Sequence, residues 1–227
     1  MLDIVYSAYQ AENTDVLAKI LKLYAWPGAR CLDMTYGLGV FWKRAAGYEV
    51  WSNDIDKDKP ADYHYDARNT EFDDAMFDAT IVDPPYAVKK AGRHHKGSLW
   101  AKEKRPKGDS YLLNTNASYE GTGGRKHAAH DRFGIVNAHM TAGENIELYL
   151  AIAKEAYRVL RPRCVLILKT QDNATEYKLP ILMKITGFRL EDLFVVVQKG
   201  IPPWDPKWKK QNHARKNHSY FIVHRKV

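Results

Sequence analysis

Phe77-Asp78-Ala79-Thr80-Ile81-Val82-Asp83-Pro84-Pro85-Tyr86 joins an apolar run to a carboxylate, two prolines and an aromatic ring. The run predicts a buried strand, and the prolines predict a rigid corner at its end, because each fixes φ and removes an amide donor. Such a corner presents Asp83, the Pro84 carbonyl and the Tyr86 ring to one small planar ligand. The plainer alternative is a strand ending in a Pro-Pro turn, with Tyr86 covering the core. What lies upstream favours the ligand corner.

Arg30-Cys31-Leu32-Asp33-Met34 reads as a short buried strand and Thr35-Tyr36-Gly37-Leu38-Gly39 as the turn into a helix starting near Val40-Phe41-Trp42. Gly37 and Gly39 let the backbone pass close to a ligand, and the helix N-terminus is expected to offer free amides and a positive dipole end. Tyr48 to Asp54 predicts a second strand ending in an acid about 20 residues beyond Asp33, the spacing at which a carboxylate in a βαβ unit receives ribose hydroxyls. Trp42 stands where the third glycine of G-x-G-x-x-G would fall, which argues against a pyrophosphate and for a smaller adenosine-bearing cofactor. Tyr65-Asp66-Ala67-Arg68 is expected to end a third strand, and Phe77 to Val82 forms the fourth. Asp33, Asp54, Asp66 and Asp83 thus line the expected crevice at the strand ends. Gathered carboxylates raise one another's pKa, so a positively charged ligand would relieve the strain. One of the four is expected to be a helix N-cap instead.

Elsewhere the periodicity predicts a helix from Thr14 to Tyr24, capped by Asn13 or Thr14, and a helix from Ile146 to Leu160. Arg161-Pro162-Arg163 is expected to turn into a strand over Cys164 to Lys169. A helix over Leu179 to Thr186 ended by Gly187 follows, and then strands over Phe188 to Gln198 and Ser219 to Arg225 as a terminal hairpin.

At 227 residues, 45% hydrophobic and 27% charged, the chain predicts a single globular domain over residues 1–227. No apolar run approaches the roughly 20 residues of a membrane span, and the N-terminus lacks the basic start and apolar core of a signal peptide. An intracellular, nucleic-acid-associated location with no membrane partner is therefore expected. Cys31 and Cys164 sit in or beside apolar runs outside any metal-ligand spacing, so both are read as buried thiols and no metal site is expected. His94, His95, His127 and His130 have Lys and Arg neighbours that disfavour a cation.

The net charge of +8 is localised. Residues 87–143 carry 11 basic against 4 acidic residues and residues 199–227 carry 8 against 1, while the remainder is net acidic. Two basic segments on an acidic body predict a polyanion footprint. The 87–143 insertion interleaves its charges with Trp100, Tyr111, Tyr119 and Phe133, and the 199–217 loop with Trp204 and Trp208, as expected of segments that grip phosphates and stack on bases. Lys89, Lys90, Arg93, Lys96, Arg125, Lys126, Lys207, Lys209, Lys210 and Arg215 are the candidate nucleic-acid contacts. Solvated basic loops are the alternative.

Asp33-x-x-x-Gly37-x-Gly39, Asp54, Asp66 and Asp83-Pro84-Pro85-Tyr86, in that order, resemble the motif series of S-adenosylmethionine-dependent DNA adenine-N6 methyltransferases. The match covers roughly residues 30 to 90, with fainter likeness at 145 to 172 and in the tail. Where that family has Phe-x-Gly-x-Gly, this chain has Thr35-Tyr36-Gly37-Leu38-Gly39. The resemblance implies a Rossmann-like class I methyltransferase fold: a mostly parallel seven-stranded sheet, an antiparallel C-terminal strand and helices on both faces. It implies S-adenosylmethionine held by the Asp33, Thr35, Tyr36, Gly37 and Gly39 turn at its methionine portion. Asp54 would hold the ribose and Asp66 the adenine amine, with Ile55, Ala67 and Asp83 as further cofactor-binding residues. It further implies catalysis by Asp83, Pro84, Pro85 and Tyr86 on a base flipped out of DNA. RNA adenine, cytosine N4 and a non-catalytic nucleic-acid-binding protein stand as alternatives.

Overall fold

The computed structural model describes residues 4–84, 142–172, 177–198, 214 and 216–227. Of the proposed site residues, Pro85, Tyr86, Lys89, Lys90, Arg93, Lys96, Arg125, Lys126, Lys207, Lys209, Lys210 and Arg215 lie outside these, as does nearly all of the 87–143 insertion.

Among the described residues seven strands form one sheet: β1 (Ala8–Tyr9), β2 (Arg30–Asp33), β3 (Glu49–Ser52), β4 (Phe77–Val82), β5 (Leu160–Thr170), β6 (Phe188–Val197) and β7 (His218–Lys226). Their order is β1-β6-β7-β5-β4-β2-β3. β7 lies antiparallel between β5 and β6, and every other pairing is parallel. The expected mostly parallel sheet with an antiparallel last strand is therefore present.

Helices cover both faces because the buried strands are apolar on both sides. On one face α1 (Asn13–Tyr24) packs Val16, Leu17, Ile20 and Leu21 against Cys31, Ile81, Ile167, Phe221 and Val223. On the other, α2 (Ala142–Val159) and the short α3 (Leu179–Leu182) pack Tyr149, Ile152, Ala156 and Leu182 against Leu32, Val82, Leu166 and Ile222. Side chains alternate along a strand, so Asp33, Asp83 and Lys169 share the α1 face with Cys31, Ile81 and Ile167, two residues upstream of each. This parity aims three charged side chains at one place.

Several sequence expectations are corrected. No third strand ends at Asp66; only isolated bridges occur there, between Asn53 and Tyr63 and between Asp66 and Asn69. The Asn53 side-chain amide does the work of a neighbouring strand, accepting from Tyr65 N at 2.8 Å and donating to Tyr65 O at 3.1 Å. The Tyr63 ring stacks on Trp51 at 5.4 Å instead of extending a ladder. The seventh strand is β1 at the opposite edge, which the periodicity did not mark. The helix expected from Val40 is a five-residue 3-10 turn, η1 (Val40–Arg44). Glu12, not Asn13 or Thr14, precedes α1 as its cap position, because Thr14 Oγ1 instead donates to Phe41 O at 2.9 Å and ties α1 to η1. β5 begins at Leu160, running through the expected Arg161-Pro162-Arg163 turn. The strain is local, with Arg163 at φ +64° and a register shift against Phe77 and Ala79, since Pro162 donates nothing to the ladder. α3 is four residues long and stops at Leu182 rather than Thr186.

Among the described residues no helix is long and apolar enough to cross a membrane. Cys31 and Cys164 are buried free thiols, as expected.

The loop that replaces the third strand is strapped to α2. Glu155 Oε1 accepts from Thr70 N at 2.8 Å and Thr70 Oγ1 at 2.6 Å. Arg158 donates to Phe72 O at 2.7 Å, Thr70 O at 3.1 Å and Glu155 Oε1 at 2.6 Å. Burial pushes the Glu155 carboxyl up, but these donors outweigh it and hold the group below its ordinary range. A Glu155→Ala variant leaves Thr70 N and Oγ1 without their acceptor and takes one partner from Arg158, so urea denaturation at neutral pH is expected to show a loss of about 1–3 kcal/mol. An unchanged denaturation midpoint would show that the strap carries no stability.

Candidate active site

The site is assembled where β2, β3 and β4 end side by side. Asp33 closes β2 and is buried. Its Oδ1 accepts from Thr35 N at 3.1 Å and its Oδ2 from Trp42 Nε1 at 2.8 Å. Trp42, noted in the sequence only as the missing third glycine, is thus the donor that satisfies a buried carboxylate. Burial is nevertheless the larger influence and, with Asp83 and Asp54 nearby, pushes Asp33 up to about 7. Asp33 therefore lies beneath the turn as its internal brace, with both oxygens engaged.

The turn over it is built as its glycines predict. Gly37 and Gly39 adopt φ of +58° and +64°, a conformation costly for other residues. A Cβ on Gly39 would run into the Tyr36 ring, which packs on its own turn. Gly37 N donates to Asp54 Oδ2 at 2.7 Å, Gly39 N to Tyr36 O at 2.9 Å, and Tyr36 N to Asn53 O at 2.9 Å. These amides are spent inside the fold, and η1 is too short for a strong dipole. The helix expected to stand behind this turn is accordingly corrected to a short 3-10 turn, and the charged side chains gathered beside it are carboxylates.

Asp54 follows β3, half-buried, its other oxygen accepting from Asp56 N at 2.9 Å. Burial raises its pKa, with the two backbone donors opposing. Ile55 beside it is half-buried. Asp66 differs from the other three. It sits in a turn, held by Arg68 through Nε at 2.9 Å and Nη2 at 2.5 Å. Burial opposes ionisation there, but Arg68 prevails and keeps the carboxyl below its usual range. Ala67 packs against the α2-side core. The expected row of four strand-end acids is therefore a cluster of three, with Asp66 set apart in its ion pair.

Asp83 follows β4, and Pro84 after it is buried. Asp83 N donates to Thr35 Oγ1 at 2.7 Å, which locks the corner to the glycine turn. The Asp83 side chain is 14% exposed, yet its Oδ1 is fully enclosed and has no hydrogen-bond partner among the described residues. Burial raises its pKa, while Lys169 and Lys178 pull it down.

Sequence reading passed over Asn53, Trp42, Lys169 and Lys178. Lys169 did leave a signal: it is a lone cation closing the apolar run Cys164 to Leu168, on the strand next to Asp83. Among the described residues no group of three or more His, Cys, Asp or Glu side chains is placed to hold a metal.

No family model and no curated protein matches this sequence. Solved structures match it in fold. TrmN from Thermus thermophilus superposes with a TM-score of 0.51 at 17% identity, over 94% of this chain and 49% of that one. The chain thus spans about half the length of that protein. A 1,6-didemethyltoxoflavin-N1-methyltransferase from Burkholderia thailandensis, solved with bound 1,6-didemethyltoxoflavin and S-adenosylhomocysteine, gives 0.49 at 12% identity over 95% and 78%. A SAM-dependent methyltransferase from Methanosarcina mazei gives 0.47 at 14% identity over 92% and 97%.

Asp33 generates a prediction with a definite sign. Its pKa is raised from about 3.9 in an unfolded chain to about 7 in the fold. Over that interval the native state holds a proton that the unfolded state has lost, so stability falls as pH rises and levels off above pH 7. Denaturation of wild type and Asp33→Asn between pH 4 and 8 should show this decline only in wild type; parallel profiles would refute it. In sheet order and strand direction, the fold is that of the Rossmann-like class I methyltransferases.

Proposed function

We propose that this chain transfers a methyl group from S-adenosylmethionine to the exocyclic N6 amine of adenine in DNA. The observation that carries the reading is Asp83: a carboxylate at the end of β4, enclosed at Oδ1, without a hydrogen-bond partner there among the described residues, and fastened to the glycine turn through Thr35. An orphaned buried acceptor favours a ligand that brings an N–H donor.

The cofactor suits the residues present. Asp33, Thr35, Tyr36, Gly37 and Gly39 form a turn whose glycine amides are occupied, which disfavours phosphate, and whose Tyr36 ring packs against Gly39. Asp54 is placed for ribose hydroxyls, with Ile55 alongside. Adenine recognition falls to the Asp66–Ala67 segment, Asp66 retaining its charge beside Arg68. When bound, this cofactor supplies an electrophilic methyl on a sulfonium. A clustered, partly desolvated set of carboxylates favours such a cation.

An exocyclic amine conjugated with its ring is a poor nucleophile. Asp83 and the Pro84 carbonyl accept its two N–H bonds, hold the nitrogen towards tetrahedral geometry and stabilise the positive charge that develops there. Asp at position 83, rather than Ser, leans the choice towards adenine over cytosine. Tyr86 stacks on the base, and the basic segments at 87–143 and 199–217 hold the opened strand from which the base is flipped.

The test is transfer of tritiated methyl to DNA, RNA and free nucleotides, followed by nucleoside analysis. N6-methyladenine in DNA is the expected product; label in RNA alone or in N4-methylcytosine would reassign the substrate, and no label anywhere would remove the enzyme. Asp83→Ala is expected to lose about 10²-fold or more in turnover while calorimetry shows cofactor affinity largely kept. A near-normal rate would refute the role given to Asp83.

A further inference from the structure

The catalytic corner has a charged neighbour that the methyl-transfer reading leaves without a role. Val82 pairs with Leu168 in the parallel β4–β5 ladder, so Asp83 and Lys169 leave adjacent strands at the same level and on the same face. Lys169 Nζ lies 4.0 Å from Asp83 Oδ1, and its side chain is 2% exposed. The Phe41 and Phe221 rings stand 6.0 and 5.7 Å from the ammonium. Burying a lysine is costly unless its charge is used, and a charge pair enclosed by rings interacts more strongly than one in water.

The distance matters as much as the proximity. A lysine hydrogen-bonded to Oδ1 would occupy the lone pair that the substrate amine needs. At 4.0 Å the ammonium supplies its field and leaves the acceptor open. An Asp83 that took up a proton would present an O–H to the amine, and the carboxyl would cease to capture an N–H through that oxygen.

We propose that Lys169 is a positioning residue that keeps Asp83 an ionised acceptor, and so selects an amine over an acceptor-only group at the methyl-receiving position. This rests on the reading of Asp83 given above. Among the described residues the other charged groups near this pair are Lys178 ahead of α3, which supports Asp83 ionisation, and Asp33 on β2, whose own pKa Asp83 raises. Lys178 is also buried, and its Nζ donates to Asn145 Oδ1 at 3.0 Å. Burial raises Asp83, and Lys169 heads the two cations that counter it.

The experiment follows the Asp83 carboxyl by NMR in protein labelled with 13C-aspartate, the resonance being assigned by its loss in Asp83→Asn. In Lys169→Met its titration should move up by about 1–3 pH units, the usual effect of an opposite charge at this range. Lys169→Gln, a second neutral replacement, should do the same and covers a Met variant that fails to fold. Lys169→Arg should stay near wild type, and Lys178→Met should shift less than Lys169→Met. In methyl-transfer assays the acid limb of kcat/KM should rise by the same interval in the neutral variants and return in Lys169→Arg, a pattern that a merely structural lysine would not give. An Asp83 titration unmoved in both neutral variants of an active enzyme overturns the role of Lys169 alone. A wild-type protein that transfers no methyl group removes the methyltransferase reading and the amine-selecting role with it.

Discussion

Three carboxylates end, or follow within two residues, three strands that are neighbours in the sheet, and specific donors and a cation make that crowding tolerable. Asp33 is wholly buried and receives a backbone amide and an indole N–H; Asp54 receives two backbone amides. Asp83 has the Lys169 ammonium close by. Without these donors and this cation, desolvation and mutual repulsion would drive the group to neutrality. The conformation of the glycine turn follows from the same need, because Gly37 and Gly39 adopt positive φ so that the chain can fold back and aim its amides inward at Asp54 and at itself.

This arrangement inverts the usual use of a glycine turn after a first parallel strand. Where a phosphate is bound, amides face outward and a helix dipole stands behind them. Here the Tyr36, Gly37 and Gly39 amides are engaged inside the fold and the helix is reduced to η1, while the strand ends beside them carry carboxylates. Thr35 and Asn53 make the crevice a unit. Thr35 ties the turn to the Asp83 corner, and Asn53 joins the ends of β2 and β3 to the Tyr63–Tyr65 segment.

Much of this was legible in the residues. The runs at Arg30–Asp33 and Phe77–Val82 are short, apolar and end at acids, and only a strand buried on both faces accounts for them. Gly37 and Gly39 announce a turn that needs positive φ. Other features left no local signal. Asn53 looks like an ordinary residue before an acid, and its replacement of a strand partner for Tyr65 depends on a segment ten or more residues away. The run of Val40, Phe41 and Trp42 is apolar enough to suggest a helix, but Trp42 is drawn down onto Asp33 and the connection to β3 is too short to continue one.

The core strands, the two long helices and the chemistry carried to the strand ends are legible from local pattern, because burial periodicity, glycine turns and Pro-Pro corners act through neighbouring residues. Which of those groups share an environment is settled by the assembled sheet alone. Asp66 dropped out of the acidic row because its own Arg68 claims it, β1 completed the sheet from the far edge, and Lys169 came beside Asp83 across more than eighty positions of chain. Those outcomes follow from strand order and register, which arise when the whole sheet closes and which no local pattern encodes.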